Sequence, residues 1–187
     1  MVIALSIIGA VVLIVVIWFV VTYNSLQRLK IYINEAWASI DVQLKRKANI
    51  IPNLVDTLKM QMKFESDVLT RLTEARSGLT SGDNTERMKA NDDFTKLMPS
   101  INAVAEAYPT LGTNQSFLRM MEDIKDCEDK IAYSRSRYNM SVAQYNMAIV
   151  TIPSNIVAGM MNFQSEKMFE ITESARQDAD NMRISQL

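Results

Sequence analysis

The chain has no histidine and a single cysteine, Cys127, among its 187 residues. Those two scarcities exclude a good deal of chemistry. A Ser-His-Asp or Cys-His catalytic unit needs an imidazole to move the proton. Zinc sites draw on Cys and His clusters that cannot be assembled here. Di-iron centres built from paired Glu-x-x-His motifs in helix bundles fail for the same reason. One cysteine forms no disulfide within the chain. Glycine (5) and proline (4) are also scarce, and no glycine-rich phosphate loop is present. Carboxylate-only or Ser/Lys chemistry survives these exclusions, but nothing in the chain points to it, so the expectation is a helical, non-enzymatic protein with no catalytic, cofactor-binding or metal-binding residue and no cofactor.

Charge is balanced, with 20 Lys+Arg against 21 Asp+Glu and a net charge of −1. A nucleic-acid partner would need a basic footprint that this balance does not supply. Charge is wholly missing from one place, the run Val2 to Val21 (VIALSIIGAVVLIVVIWFVV). As a helix, about 20 residues at ~1.5 Å each span the ~30 Å hydrocarbon core of a bilayer. No basic residue precedes the run and no A-x-A site follows it, which favours an uncleaved anchor over a signal peptide. Arg28 and Lys30 follow closely, then Lys45, Arg46 and Lys47. The positive-inside rule then gives a single-pass membrane protein with its N-terminus outside and its soluble domain cytoplasmic.

No proline occurs before Pro52, so the anchor is expected to continue as a helix to about Lys47. Leu26, Leu29, Ile33, Trp37, Ile40 and Leu44 recur by three and four on one face. Pro52 suits the first turn of a new helix and disfavours helix in the residue before it, so a second helix is expected to begin there. Its seam is Val55, Leu58, Met62, Glu65, Leu69, Leu72, Arg76 and Leu79. Ser81 to Asn84 reads as a turn. A third helix, capped by Asn84 or Thr85, carries Met88, Phe94, Leu97, Met98, Ile101, Val104 and Ala105, with a kink or short break at Pro99. After Tyr108 to Gly112, Thr113 or Asn114 caps the longest soluble helix, which runs to about Ile152. Its seam is Phe117, Met121, Ile124, Glu128, Ile131, Arg135, Tyr138, Val142, Tyr145, Ile149 and Ile152. Pro153 breaks it. The tail from Gln164 is polar, with a weak helical stripe at Met168, Ile171, Ala175 and Met182. The expected fold is all-α: an N-terminal transmembrane helix continuous with an elongated antiparallel three- to four-helix bundle. The expected domains are an anchor at 1–22, a helical bundle at 23–163 and a polar C-terminal tail at 164–187.

Several separated segments resemble the LemA family. They are Glu35 to Lys47 (EAWASIDVQLKRK), Ile51-Pro52-Asn53-Leu54-Val55, and Tyr108-Pro109-Thr110-Leu111 with Asn114-Gln115 and Phe117-Leu118. The run Ile131-Ala132-Tyr133 through Arg137-Tyr138-Asn139 follows, then Tyr145-Asn146 and Ile152-Pro153-Ser154-Asn155. The resemblance covers about Tyr23 to Phe163; Gly112 departs from it, as does the tail. It implies a bacterial membrane-anchored helical protein without established enzymatic activity, some of whose relatives are linked to building intracellular membrane compartments.

Three features invite a functional reading. Glu65, Arg76, Glu128 and Arg135 interrupt apolar seams, and either form ion pairs that fix bundle or subunit register or drift to the seam's solvent edge. Lys45-Arg46-Lys47 lies ~35 Å along a straight helix from the membrane, beyond a Debye length of ~8–10 Å. It therefore reads as a charge cluster at a helix C-terminus, or as a protein contact. Tyr138 to Ser165 carries no charge, and Ile149, Ile152, Ile156, Val157, Met160, Met161 and Phe163 are candidates for contact with lipid, a neighbouring subunit or their own bundle. Apolar residues on two sides of the first helix, such as Ile31 and Ile40, add to an expected homo-oligomer. The partners expected are thus the lipid bilayer, further copies of the chain and an unidentified membrane protein. Two functions compete: a self-assembling scaffold at the membrane, for membrane organisation or partner recruitment, and an accessory adaptor of a membrane protein complex acting as a monomer or small oligomer.

Overall fold

The apolar run and the stripe that follows it form one α-helix, α1 (Val2–Gln61), in a computed structural model that describes residues 2–61 and 66–169. Every residue from Val2 to Ile17 is exposed, as a segment meant for lipid would be. The other helices are α2 (Ser66–Leu79), α3 (Asn84–Thr95), α4 (Met98–Ala107), α5 (Pro109–Gly112), α6 (Gln115–Val150) and α7 (Ser154–Met160). No strand occurs among the described residues, so the chain is all-α as expected.

The expected break at Pro52 is absent. Pro52 lies inside α1, although it has no N–H for the carbonyl of Ala48 and a helix-interior proline costs about 3 kcal/mol. Burial outweighs that cost: Ala48, Ile51, Leu54, Val55 and Leu58 are all in the core. A few leucine-sized side chains at about 1.5–3 kcal/mol each exceed the proline penalty. The second helix therefore starts at Ser66 instead, and Met62 and Glu65 lie outside the described residues.

Two compact units are distinguishable, and α1 and α6 contribute to both. The first contains residues 2–38 and Ser134–Phe169. There, Ile33 packs on Val142 and Tyr145, while Leu26 packs on Val157 and Ala158 of α7 with Ile149 alongside. Positions rising along α1 meet positions falling along α6, so the pair is antiparallel. Helix α7 ends in a Schellman motif. Asn162 takes a left-handed φ of 55°, Phe163 N–H donates to Ala158 O at 2.9 Å and Asn162 N–H to Gly159 O at 3.3 Å. Asparagine is the non-glycine residue that adopts this conformation most readily. The turn sends residues 163–169 back along α6 in extended form, where a weak helical stripe had been expected at Met168. The other stripe positions, Ile171, Ala175 and Met182, lie outside the described residues.

The second unit holds residues 39–61 and 66–133 of the described chain. Its core includes Ile40, Leu44, Leu72, Leu79, Phe94, Ile101, Leu111 and Ile124. Ile40 is fully buried, as its place on the apolar stripe implies, whereas Ile31 in the first unit is exposed. Helix α3 is capped one residue earlier than expected: Asp83 accepts from Thr85 N–H and Glu86 N–H. The break at Pro99 falls between α3 and α4, with the proline in the first turn of α4. Asn114 caps α6, accepting from Ser116 N–H at 2.9 Å and Phe117 N–H at 3.2 Å. Gly78 is required by contact, since a Cβ there would lie 2.5 Å from Ala90 Cβ on α3.

Candidate functional site

The basic triplet on α1 is a packing device. Because α1 continues past residue 47, the triplet is not at a helix C-terminus, and each member meets a different acid. Lys45 pairs with Asp41 one turn earlier at 2.8 Å. Arg46 forks onto α6, to Asp123 and Asp126, both at 2.7 Å. Lys47 has no solvent exposure. Its Nζ donates to Asn91 Oδ1 at 2.8 Å and to Glu128 Oε1 at 2.5 Å, and lies 4.2 Å from the centroid of the Phe94 ring. Thr95 Oγ1 donates to the same Glu128 oxygen at 2.6 Å. Burial pulls the Lys47 ammonium below the ordinary lysine range, partly offset by Glu128. One buried cation thus joins α1, α3 and α6.

A second ion pair lies two turns back on α1. Arg87 of α3 is buried, donates from Nε to Leu79 O at 3.0 Å and pairs with Asp41. Burial alone would raise the Asp41 carboxyl, but hydrogen bonds from Lys45 and Arg87 outweigh it and hold the group below the usual aspartate value. The groove beside these residues, lined in part by Asn49, Met120 and Asp123, is open, and its Lys45 and Arg46 are both held by aspartates. Among the described residues, no three Asp, Glu or Cys side chains are placed to hold a metal ion. Cys127 is buried, which pushes its thiol up and away from reactive thiolate character.

The four seam charges fare differently. Glu128 is the half-buried partner of Lys47. Arg76 is exposed, because Ala75 takes the inward position between Leu72 and Leu79. Arg135 is half-buried, and Glu65 lies outside the described residues. Lys47 and Arg87 were missed because a lysine or arginine in sequence reads as surface. The available signal was spacing: Ile40, Leu44, Lys47, Ile51 and Leu54 continue the three–four step of the core stripe.

In the first unit α6 holds the extended segment by its backbone. Asn139 bridges Phe169, accepting its N–H and donating to its carbonyl, both at 2.8 Å. Asn146 does the same to Glu166 at 2.9 and 2.8 Å. Tyr145 Oη donates to Gln164 O at 2.9 Å. The two asparagines are a heptad apart, ~10.5 Å along a helix, and three extended residues cover ~10 Å. That match is why the repeated Tyr-Asn-Met at 138–140 and 145–147 binds an extended chain. Phe169 closes on Tyr138 and Trp37, with ring centroids 4.6 and 5.6 Å away.

The charge-free stretch divides into two faces. Val157 is buried, and Ile149 and Phe163 are half-buried in the Leu26 cluster with Trp18, Phe19 and Tyr23. Ile152, Ile156, Met160 and Met161 are exposed. Helix α6 ends at Val150, two residues before Ile152, so its seam stops at Ile149 and Ile152 does not continue it.

The model of the LemA family matches residues 36–182. Protein LemA of Metamycoplasma hominis is 26% identical over 163 residues, covering 86% of this chain and 74% of that protein. Magnetosome protein MamQ 2 of Paramagnetospirillum magneticum is 26% identical over 160 residues, and magnetosome protein MamQ of Magnetospirillum gryphiswaldense 24% over 159. This chain spans 59% and 58% of the length of those two relatives. These matches, with the apolar N-terminal helix and the all-helical fold, describe a membrane-associated helical protein, and the chain belongs to the LemA family.

Proposed function

We propose that this protein is a membrane-anchored scaffold that assembles side by side with copies of itself. The observation that carries the reading is a second seam on α6. Tyr138, Val142, Tyr145 and Ile149 face inward in the first unit. Ser136, Met140, Ala143, Met147 and Val150, stepping by four and three, lie on the other side. Met140 and Met147 are 59% and 67% exposed. A 3.5-residue repeat with large and small residues alternating is the pattern by which one helix seats against another, and an uncharged exposed face is unfavourable in water without such a partner. Similarity to proteins named for the magnetosome supports a part in organising membrane. By the positive-inside rule the helical domain then faces the cytoplasm.

The test is the mass of the detergent-extracted full-length protein by light scattering and single-particle imaging. A defined multimer is expected, reduced to monomer by Met140→Glu with Met147→Glu while the helical circular dichroism is kept. A wild-type monomer overturns the scaffold. A single copy recovered in a stable complex with another membrane protein favours the adaptor instead.

A further inference from the structure

We infer that the corner formed by the end of α6 and by α7 is a second membrane contact, a foot seated in the headgroup layer beside the transmembrane helix. Helix α7 packs on the last turns of the apolar run and the turn after it: Val157 and Ala158 touch Leu26 in a cluster that includes Trp18, Phe19 and Tyr23. Trp18 and Tyr23 are the residue types that mark the level of a bilayer interface. Packing against them fixes the foot at that depth.

The chemistry of the outward surface agrees. Ile152 is 78%, Ile156 55% and Met160 71% exposed, and Ile156 and Met160 lie one turn apart on α7. No Asp, Glu, Lys or Arg occurs in residues 2–27 or 138–165, so this end of the first unit is free of charge. Charge resumes one level further from the run, at Arg28 and at Lys30, which pairs with Glu166 at 3.7 Å. A short helix that buries one apolar face on the anchor and presents another beside it, with cations above, matches a monotopic interfacial segment. The occupant is therefore the headgroup and upper acyl region of the bilayer the anchor crosses, and Arg28 favours anionic lipid there.

The test places an environment-sensitive nitrobenzoxadiazole label on Ile156→Cys and on Met160→Cys in the full chain, in a Cys127→Ala background. Asn34→Cys serves as a control, exposed on α1 about 20 Å beyond the apolar run. Both foot positions are exposed, so the label need not disturb the core. In vesicles of phosphatidylcholine and phosphatidylglycerol, the foot labels are expected to emit to the blue of the control. They should lose most of their emission to a shallow doxyl lipid, and the control should lose none. Emission equal to the control overturns the foot. So does a blue shift that no doxyl lipid quenches and that fades as protein is diluted in the vesicles, which assigns the face to a second copy.

Discussion

Replacing Lys47 by Met tests whether one buried cation holds the second unit together. The methionine keeps the apolar stem over Phe94 and removes the ammonium that meets Asn91 and Glu128. Removing one member of a buried ion pair costs about 3–5 kcal/mol when the other stays buried. Here Glu128 keeps 23% of its side-chain surface in water and retains Thr95, so it rehydrates in part. The expected loss is then about 2–3 kcal/mol, the worth of one or two hydrogen bonds to a charged group. For a protein of this size each kcal/mol moves Tm by roughly 2–4 °C, so Lys47→Met should melt about 5–10 °C early. The assay is the far-UV circular dichroism melt of the full chain in detergent. The double variant Lys47→Met with Glu128→Leu should recover most of the loss, because an apolar replacement of a buried pair is close to neutral. If Lys47→Met melted with the wild type, or if the two single losses simply added, the pair would not be coupled and the reasoning would fail.

Two further perturbations probe the same unit. Gly78→Ala gains about 1 kcal/mol of helix propensity but drives a Cβ onto Ala90 at 2.5 Å. Overpacking of this kind costs typically 1–3 kcal/mol, so a net destabilisation on melting is expected, and Ala90→Gly in the same chain should relieve it. Asp41 gives a pH signature. Its folded carboxyl titrates below the unfolded value of 3.8, so in that window the unfolded chain binds a proton that the folded chain does not. The contribution is full above pH 3.8 and is lost as pH falls through the folded value. In an acid titration of stability Asp41→Asn should have a shallower acid limb than the wild type, and an unchanged limb would show that the Lys45 and Arg87 contacts do not stabilise the ionised form.

Much of the molecule follows from patterns local in sequence. The uncharged run with its length, the three–four stripe from Leu26 to Leu44, the turn at Ser81 to Asn84 and the Asn114 cap are written in a few adjacent residues. They depend on hydropathy, periodicity and side-chain capping, which need no distant partner. The LemA segments were legible for the same reason. What failed was wherever a local preference competed with burial. Pro52 signals a helix start, but Ile51 and Leu54 are buried on either side of it and keep α1 intact. Lys47 signals surface, but Glu128, far along the chain, neutralises it inside. The extended return of residues 163–169 was hidden because Asn139 and Asn146 bind backbone, which leaves no trace in the side chains they hold. Sequence alone determined that this is an all-helical chain with one membrane-length helix and no histidine chemistry. Only the tertiary structure decided which charges are inside and which face of α7 is outward, because both depend on residues brought together across the chain and on the free energy of burying them.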